Sequence, residues 1–136
     1  MVDFTSSRAF RVAGPTAFAE AGITRNDVDH LVIYDAFFRL SIYRFEDLGF
    51  IPRGEVGAFI AERNTVPAAS CRSTPMAAAS PTCIPACTAC TRCRKSVRQM
   101  RGVAAAQIPG AWISVCHGVG GMFAASGMII MSNEAP

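Results

Sequence analysis

Apolar and polar residues run along this chain in blocks of changing period, and the period of each block names an element. The longest uncharged block is Ala111 to Met131. About twenty apolar residues are enough to cross a bilayer. Here, however, Gly118, Gly120, Gly121 and Gly127 weaken a helix through its middle, while Ala111 to Val115 and Met128 to Met131 carry strand formers. The block therefore predicts two buried strands joined through a glycine-rich turn, and no membrane span. A run apolar on both faces suits a central strand covered by helices. The turn is expected to set the Cys116 thiol beside the His117 imidazole, next to glycines that let a ligand approach the backbone.

Upstream, residues 14–22 read as a short helix, with Pro15 in its first turn and Gly22 as its stop. Thr24 to Asp27 has the form of a capping box for one further turn. His30-Leu-Val-Ile-Tyr34 is branched and apolar, a buried strand that ends abruptly in Asp35, with His30 expected at the surface or the strand edge. From Ala36 the period becomes helical, placing Phe38, Ile42, Phe45 and Leu48 on one face until Gly49 closes the helix. Glu55 to Glu62 repeats that pattern through Val56, Phe59 and Ile60. Ser96 to Gly102 reads as the end of a helix, with Arg98 and Arg101 favourable in its last turn, and Val103 to Pro109 as a loop. Helices alternating with strands and a final hairpin predict an α/β fold with a mixed sheet.

Composition narrows the class. The chain has 136 residues, 51% hydrophobic and 17% charged, which fits one domain with one core. A net charge of +3, without a block of Lys and Arg interleaved with aromatics, argues against nucleic acid. The first residues contain no apolar run of signal-peptide length, so a cytoplasmic chain is expected, where six cysteines are not a disulfide framework. Five of the six fall between Cys71 and Cys93, and Cys83, Cys87, Cys90 and Cys93 follow a CxxxCxxCxxC spacing that superficially suits zinc or an iron–sulfur cluster.

Several motifs occur together and in order: Ala21-Gly-Ile23, Asp35-Ala-Phe37, Glu46-Asp-Leu-Gly-Phe50, Gly54-Glu-Val-Gly-Ala-Phe59, Ser96-Val-Arg-Gln-Met-Arg-Gly102 and His117-Gly-Val-Gly-Gly121. Over residues 3–66 and 96–136 the chain resembles the C-terminal domain of a thiolase, in the bacterial branch related to lipid-transfer-protein thiolases. The resemblance implies a five-stranded mixed sheet with helices on both faces, one half of a duplicated molecule. It also implies a missing N-terminal half that carries the nucleophilic cysteine, and a homodimer in intact relatives. An isolated half is expected to expose apolar surface.

Between the two matching stretches the text departs. After Asn64-Thr65 the resemblance implies a glycine-rich turn and a histidine followed by a helix. Reading such a gene one nucleotide late turns methionine codons followed by C or T into cysteine codons, and glycine codons into alanine codons. This accounts for Cys83, Cys87, Cys90 and the run Ala77 to Ala79, after which the family text resumes at Ser96. Residues 68–95 are therefore read as a double frameshift, an aberrant and irregular segment inside a single domain spanning 1–136, and its cysteines as products of chance. No metal and no cofactor are expected, coenzyme A thioester being the substrate.

Claisen chemistry on a thioester needs a thiolate nucleophile, a base and donors for an oxyanion. Cys116 and His117 flank the position where the resemblance places a second reactive cysteine, with His117 favoured by the glycine alignment, and either could move a proton if its pKa is tuned. Gly118, Gly120 and Gly121 would line the substrate, together with Asp35, which also reads as a helix N-cap. Tyr34 stands where thiolases have Asn or His, and a phenol can donate to an oxyanion or transfer a proton. A tyrosine there with His-Gly-x-Gly-Gly is also similar to a superfamily branch that cleaves acyl-CoA side chains by retro-aldol reaction, with a small OB-fold partner protein. The first expectation is an acyl-CoA acyltransferase fragment, inactive alone; the alternatives are that retro-aldolase branch and a small Cys-rich metal protein.

Overall fold

The computed structural model describes residues 6–33, 38–62, 88–105, 107–121 and 123–133, the side chains of 38–41 and 88–91 excepted. The first helix, α1, spans Arg8–Ala21, six residues earlier than the Gly14-Pro15 start signal suggested. Pro15 lies inside it. An interior proline costs about 3 kcal/mol through its lost donor and its ring. The helix persists because Phe10, Gly14 and Phe18, four residues apart, form one buried stripe. Gly22, at φ 66°, closes it with bonds from the Gly22 and Ile23 amides to the Ala19 and Phe18 carbonyls.

A 3₁₀ turn, Arg25–Asp27, follows, and the Asp27 carboxylate accepts from the Thr24 amide and hydroxyl at 2.7 Å each, as the capping-box reading anticipated. Strand β1, His30–Ile33, is buried at every position; His30, expected at the surface or the strand edge, is the strand's first residue and is not at the surface. Its ring is seated against the Ser114 hydroxyl at 2.7 Å, which allows an imidazole inside. Helix α2 spans Phe38–Asp47. Phe45 and Leu48 are buried on its inner face, and Gly49 turns the chain at φ 78°. Helix α3, Val56–Ala61, buries Val56 and half-buries Phe59, but leaves Ile60 exposed.

Helix α4, Thr88–Met100, begins inside the stretch expected to be irregular up to residue 95. Arg92, Ser96 and Gln99 are its buried positions, three to four apart, so residues on both sides of the proposed junction share one face. Residues 68–87 lie outside the described residues.

Strands β2, Ile113–Gly120, and β3, Ala125–Ser132, form the final hairpin. The sheet order is β1-β2-β3, with β1 parallel and β3 antiparallel to the central β2, so the expected mixed sheet is present with three strands among the described residues rather than five. The Asp29 carboxylate fixes the start of β2 by accepting from the Trp112 and Ile113 amides at 2.9 and 3.1 Å.

Two further details differ from the sequence reading. The turn lies later, after Gly120, so Cys116 and His117 sit within β2. And β3 is not buried but alternates, leaving Ile129 at 49% exposure, because α4 packs mainly over β1 and β2 while α1 covers the other face of β3.

The pleat separates two packing layers. Leu31, Ile33 and Val115 join Phe10, Phe18, Phe45 and Leu48 in the main core beneath α1 and α2. His30, Ser114 and Cys116, on the opposite face, meet α4.

Gly49 and Gly22 offer a test of turn chemistry. A Cβ at Gly49 would fall 2.6 Å from the Arg25 guanidinium carbon, and that guanidinium donates to the Gly49 carbonyl at 2.8 Å, whereas a Cβ at Gly22 meets open space. Both positions carry the positive-φ penalty of about 1 kcal/mol. Gly49→Ala is expected to destabilise by about 2 kcal/mol and Gly22→Ala by about 1 kcal/mol in urea unfolding. Equal losses would show that the Arg25 contact contributes nothing.

Candidate active site on the central strand

β1 and β2 run parallel with Ile33 level with His117, so their carboxyl ends lie on the same side of the sheet. Open α/β sheets place ligands at such ends. Tyr34 and Asp35, which follow β1, lie outside the described residues.

Cys116 and His117 are consecutive in an extended strand and therefore point to opposite faces. They are not side by side, as the turn reading had them. His117 faces α1, where the Phe10 ring stands edge-on to it at 5.1 Å. It is fully buried; its Nε2 pairs with the Ser126 hydroxyl at 2.8 Å, and its Nδ1 has no hydrogen-bond partner among the described residues. Burial, then the positive charges of Arg44 and Arg92, push the imidazole down to about 3, so it is neutral at physiological pH. Arg44 is itself fully buried, with its guanidinium 5.4 Å from the Phe10 ring centre. Arg92 reaches from α4 to donate to the His117 carbonyl at 3.3 Å.

Cys116 faces α4, with its sulfur 3.9 Å from that of Cys93. Burial pushes its thiol up to about 12, the neighbouring Cys93 adds to the rise, and the Arg92 charge opposes it. Such a thiol is protonated and a poor nucleophile.

The glycines divide into two kinds. Gly121 turns the hairpin at φ 56°. Gly118 and Gly120 have ordinary strand geometry, and a Cβ on either would come no closer than 3.9 Å to a described neighbour, which leaves bare backbone beside Cys116 and His117. Phe123, in the same turn, has φ 73°, unusual for an aromatic residue. Its carbonyl accepts from the Ser7 hydroxyl at 3.0 Å, and its ring lies edge-on to Phe10 at 6.4 Å, contacts that hold the turn against α1.

The sequence profile of the thiolase C-terminal domain-like family matches residues 1–133. The chain belongs to that family. A curated relative, the steroid side-chain-cleaving aldolase of Thermomonospora curvata, is 36% identical over 53 residues, which are 39% of this chain and 14% of the relative. A solved structure described as an Ltp2-ChsH2(DUF35) aldolase superposes with a TM-score of 0.80 at 22% identity, covering 98% of this chain and 34% of that one. The chain thus spans about a third of that solved chain.

Within this thiolase-like domain, Ser126, Arg44, Arg92 and Phe10 contact or polarise His117, and none of them carried a motif. Ser126 becomes readable only once the hairpin register is known, because Val119 pairs with Ser126 and sets it diagonally across from His117. Among the described residues no helix is long and apolar enough to cross a membrane.

The two buried histidines give this fold a pH signature. Burial pushes His30 down to about 4, as it pushes His117 down to about 3, against 6.5 in the unfolded chain. A depressed folded pKa means that the unfolded chain binds the proton first, so stability is full above pH 6.5 and is lost as pH falls towards 4 and then 3. Urea midpoints measured between neutral pH and pH 4 should fall, and the fall should shrink in His30→Asn and in His117→Asn. An unchanged slope in both variants would refute the assignment.

Proposed function

We propose that this domain is the C-terminal half of a thiolase-superfamily enzyme of the retro-aldolase type, which breaks a carbon–carbon bond in the side chain of an acyl-CoA thioester. The observation that carries this reading is the division of labour on β2. The neutral His117 imidazole is set by Ser126 on one face, while the Cys116 thiol is held protonated on the other. Claisen acyl transfer needs a second reactive group that exchanges protons with the nucleophile near neutral pH. Retro-aldol cleavage needs no thiolate.

In that cleavage a β-hydroxyl loses its proton, the bond between the α and β carbons breaks, and the electron pair moves into the thioester as an enolate. The β carbon leaves as a carbonyl, and the enolate takes up a proton. A neutral imidazole serves such a step as a hydrogen-bond donor to the enolate oxygen rather than as a base. If the Ser126 hydroxyl donates to Nε2, the ring proton rests on Nδ1, the nitrogen without a described partner. Tyr34 is assigned the hydroxyl proton, and Gly118, Gly120 and Gly121, with Asp35, the passage of the thioester arm. Both named relatives are aldolases, which adds support. The N-terminal half and a small OB-fold protein are the proposed partners.

The test joins this chain to an N-terminal thiolase-like half and supplies a β-hydroxyacyl-CoA in one assay and a β-ketoacyl-CoA plus free coenzyme A in another. The first should release a carbonyl compound, the second should be inert, and the chain alone should do neither. His117→Ala should lower kcat by about 10²–10³-fold, the usual loss of an oxyanion donor, and Ser126→Ala by about tenfold. Thiolysis of the ketoacyl substrate that depends on Cys116 would instead establish the acyltransferase reading.

A further inference from the structure

The sulfur atoms of Cys93 and Cys116 lie 3.9 Å apart across the interface between α4 and β2, and the reaction above uses neither. Their surroundings differ. Cys93 is half-buried, so a small solute reaches it, whereas Cys116 is buried at 5% exposure. Helix α4 is anchored on both sides of Cys93. One residue earlier, Arg92 donates to the His117 carbonyl at 3.3 Å. Further on, Gln99 Nε2 donates to the Ile108 carbonyl at 3.3 Å, and Gln107 Nε2 donates to the Gln99 carbonyl at 2.8 Å. Two thiols held this way on separate elements are a preset pair, because the entropy of bringing them together is already spent in folding.

We infer that Cys93 and Cys116 are a peroxide-reactive thiol pair that closes to a disulfide and clamps α4 onto the central strand. The chemistry balances in two steps. Hydrogen peroxide is reduced by the Cys93 thiol, which becomes a sulfenic acid as one water leaves. The Cys116 sulfur then displaces the hydroxyl of that sulfenic acid, its own proton departing with the hydroxyl as a second water, and the sulfur–sulfur bond forms. Overall, two thiols lose two electrons and two protons to the peroxide. The sulfurs must close from 3.9 Å to about 2 Å, within reach of side-chain rotation and a small shift of α4. Cys116 is the resolving member. Burial is the main cause that keeps it protonated and the Cys93 thiol adds to it. The second influence is lost once that sulfur is oxidised, the Arg92 charge that favours its thiolate stays, and the 3.9 Å approach offsets the slow attack of a buried thiol.

This inference does not rest on the retro-aldolase reading. The test treats the full chain with hydrogen peroxide, blocks the remaining thiols and maps peptides without reduction. The expected product is a monomer containing a Cys93–Cys116 cross-link, lighter by two hydrogens, reversed by a dithiol, and unfolding roughly 5–10 °C higher than the reduced chain. The same link should form when Cys71→Ala, Cys83→Ala, Cys87→Ala and Cys90→Ala are combined, and the native chain provides the map if that variant does not fold. Cys116→Ala should send Cys93 on to the sulfinic acid or to intermolecular links. The inference is overturned if Cys93 oxidises while Cys116 stays free for alkylation on unfolding, if Cys93 pairs with a different cysteine, or if the linked chain is less stable than the reduced one.

Discussion

A pleated strand sends consecutive side chains in opposite directions, and in β2 that constraint decides what each half of the molecule can do. Ser114 and Cys116 are delivered to α4, while Val115 and His117 are delivered to α1 and α2. The two candidate site residues that adjoin in sequence therefore belong to different microenvironments. The α1 side gives the imidazole an aromatic edge, a serine and nearby positive charge. The α4 side gives the thiol a second sulfur. Both residues lie in the stretch of β2 that pairs with β1 on one side and β3 on the other.

The charged residues around β2 follow from the same arrangement. Arg44 and Arg92 approach the strand from opposite layers, and both are buried. A cation in a protein interior is costly unless it meets acceptors and polarisable surface. Arg44 rests on the Phe10 ring, and Arg92 on a strand carbonyl. Burial first, and their combined field after it, make a protonated imidazole unfavourable, so the histidine retains one chemical form across the physiological range. Constancy of that kind suits a hydrogen-bond donor better than a proton carrier.

Much of this was legible in residues 14–62 and 96–136 without coordinates. The apolar run His30 to Ile33 became a buried strand, the spacing of Phe45 and Leu48 became the inner face of α2, Gly49 ended that helix, and the terminal glycine-rich block became a hairpin. Errors arose where local signals were overruled by packing. Gly14-Pro15 has the form of a helix start, yet the Phe10 to Phe18 stripe carries α1 through it. Glycines inside Cys116 to Gly121 suggested an early turn, yet ladder pairing with β3 keeps the strand extended to Gly120. His30 looked like a boundary residue because its partner, Ser114, is remote in sequence. The contacts of His117 were illegible for the same reason: Phe10, Arg44, Arg92 and Ser126 are brought to it by topology and register, which no short motif encodes.

Gly14 carries a consequence beyond helix packing. A methyl group there would lie 3.3 Å from both the side chain and the carbonyl oxygen of Leu48, so α1 rides directly on the backbone that ends α2. Phe10 is one turn earlier on the same stripe, and its ring edge sets the wall beside His117. The helix thus works as a rigid lever whose fulcrum is a missing side chain. The position of a reactive ring is gauged by how closely two stretches of main chain touch several residues away, and sequence drift at that contact would retune the ring without altering any residue next to it.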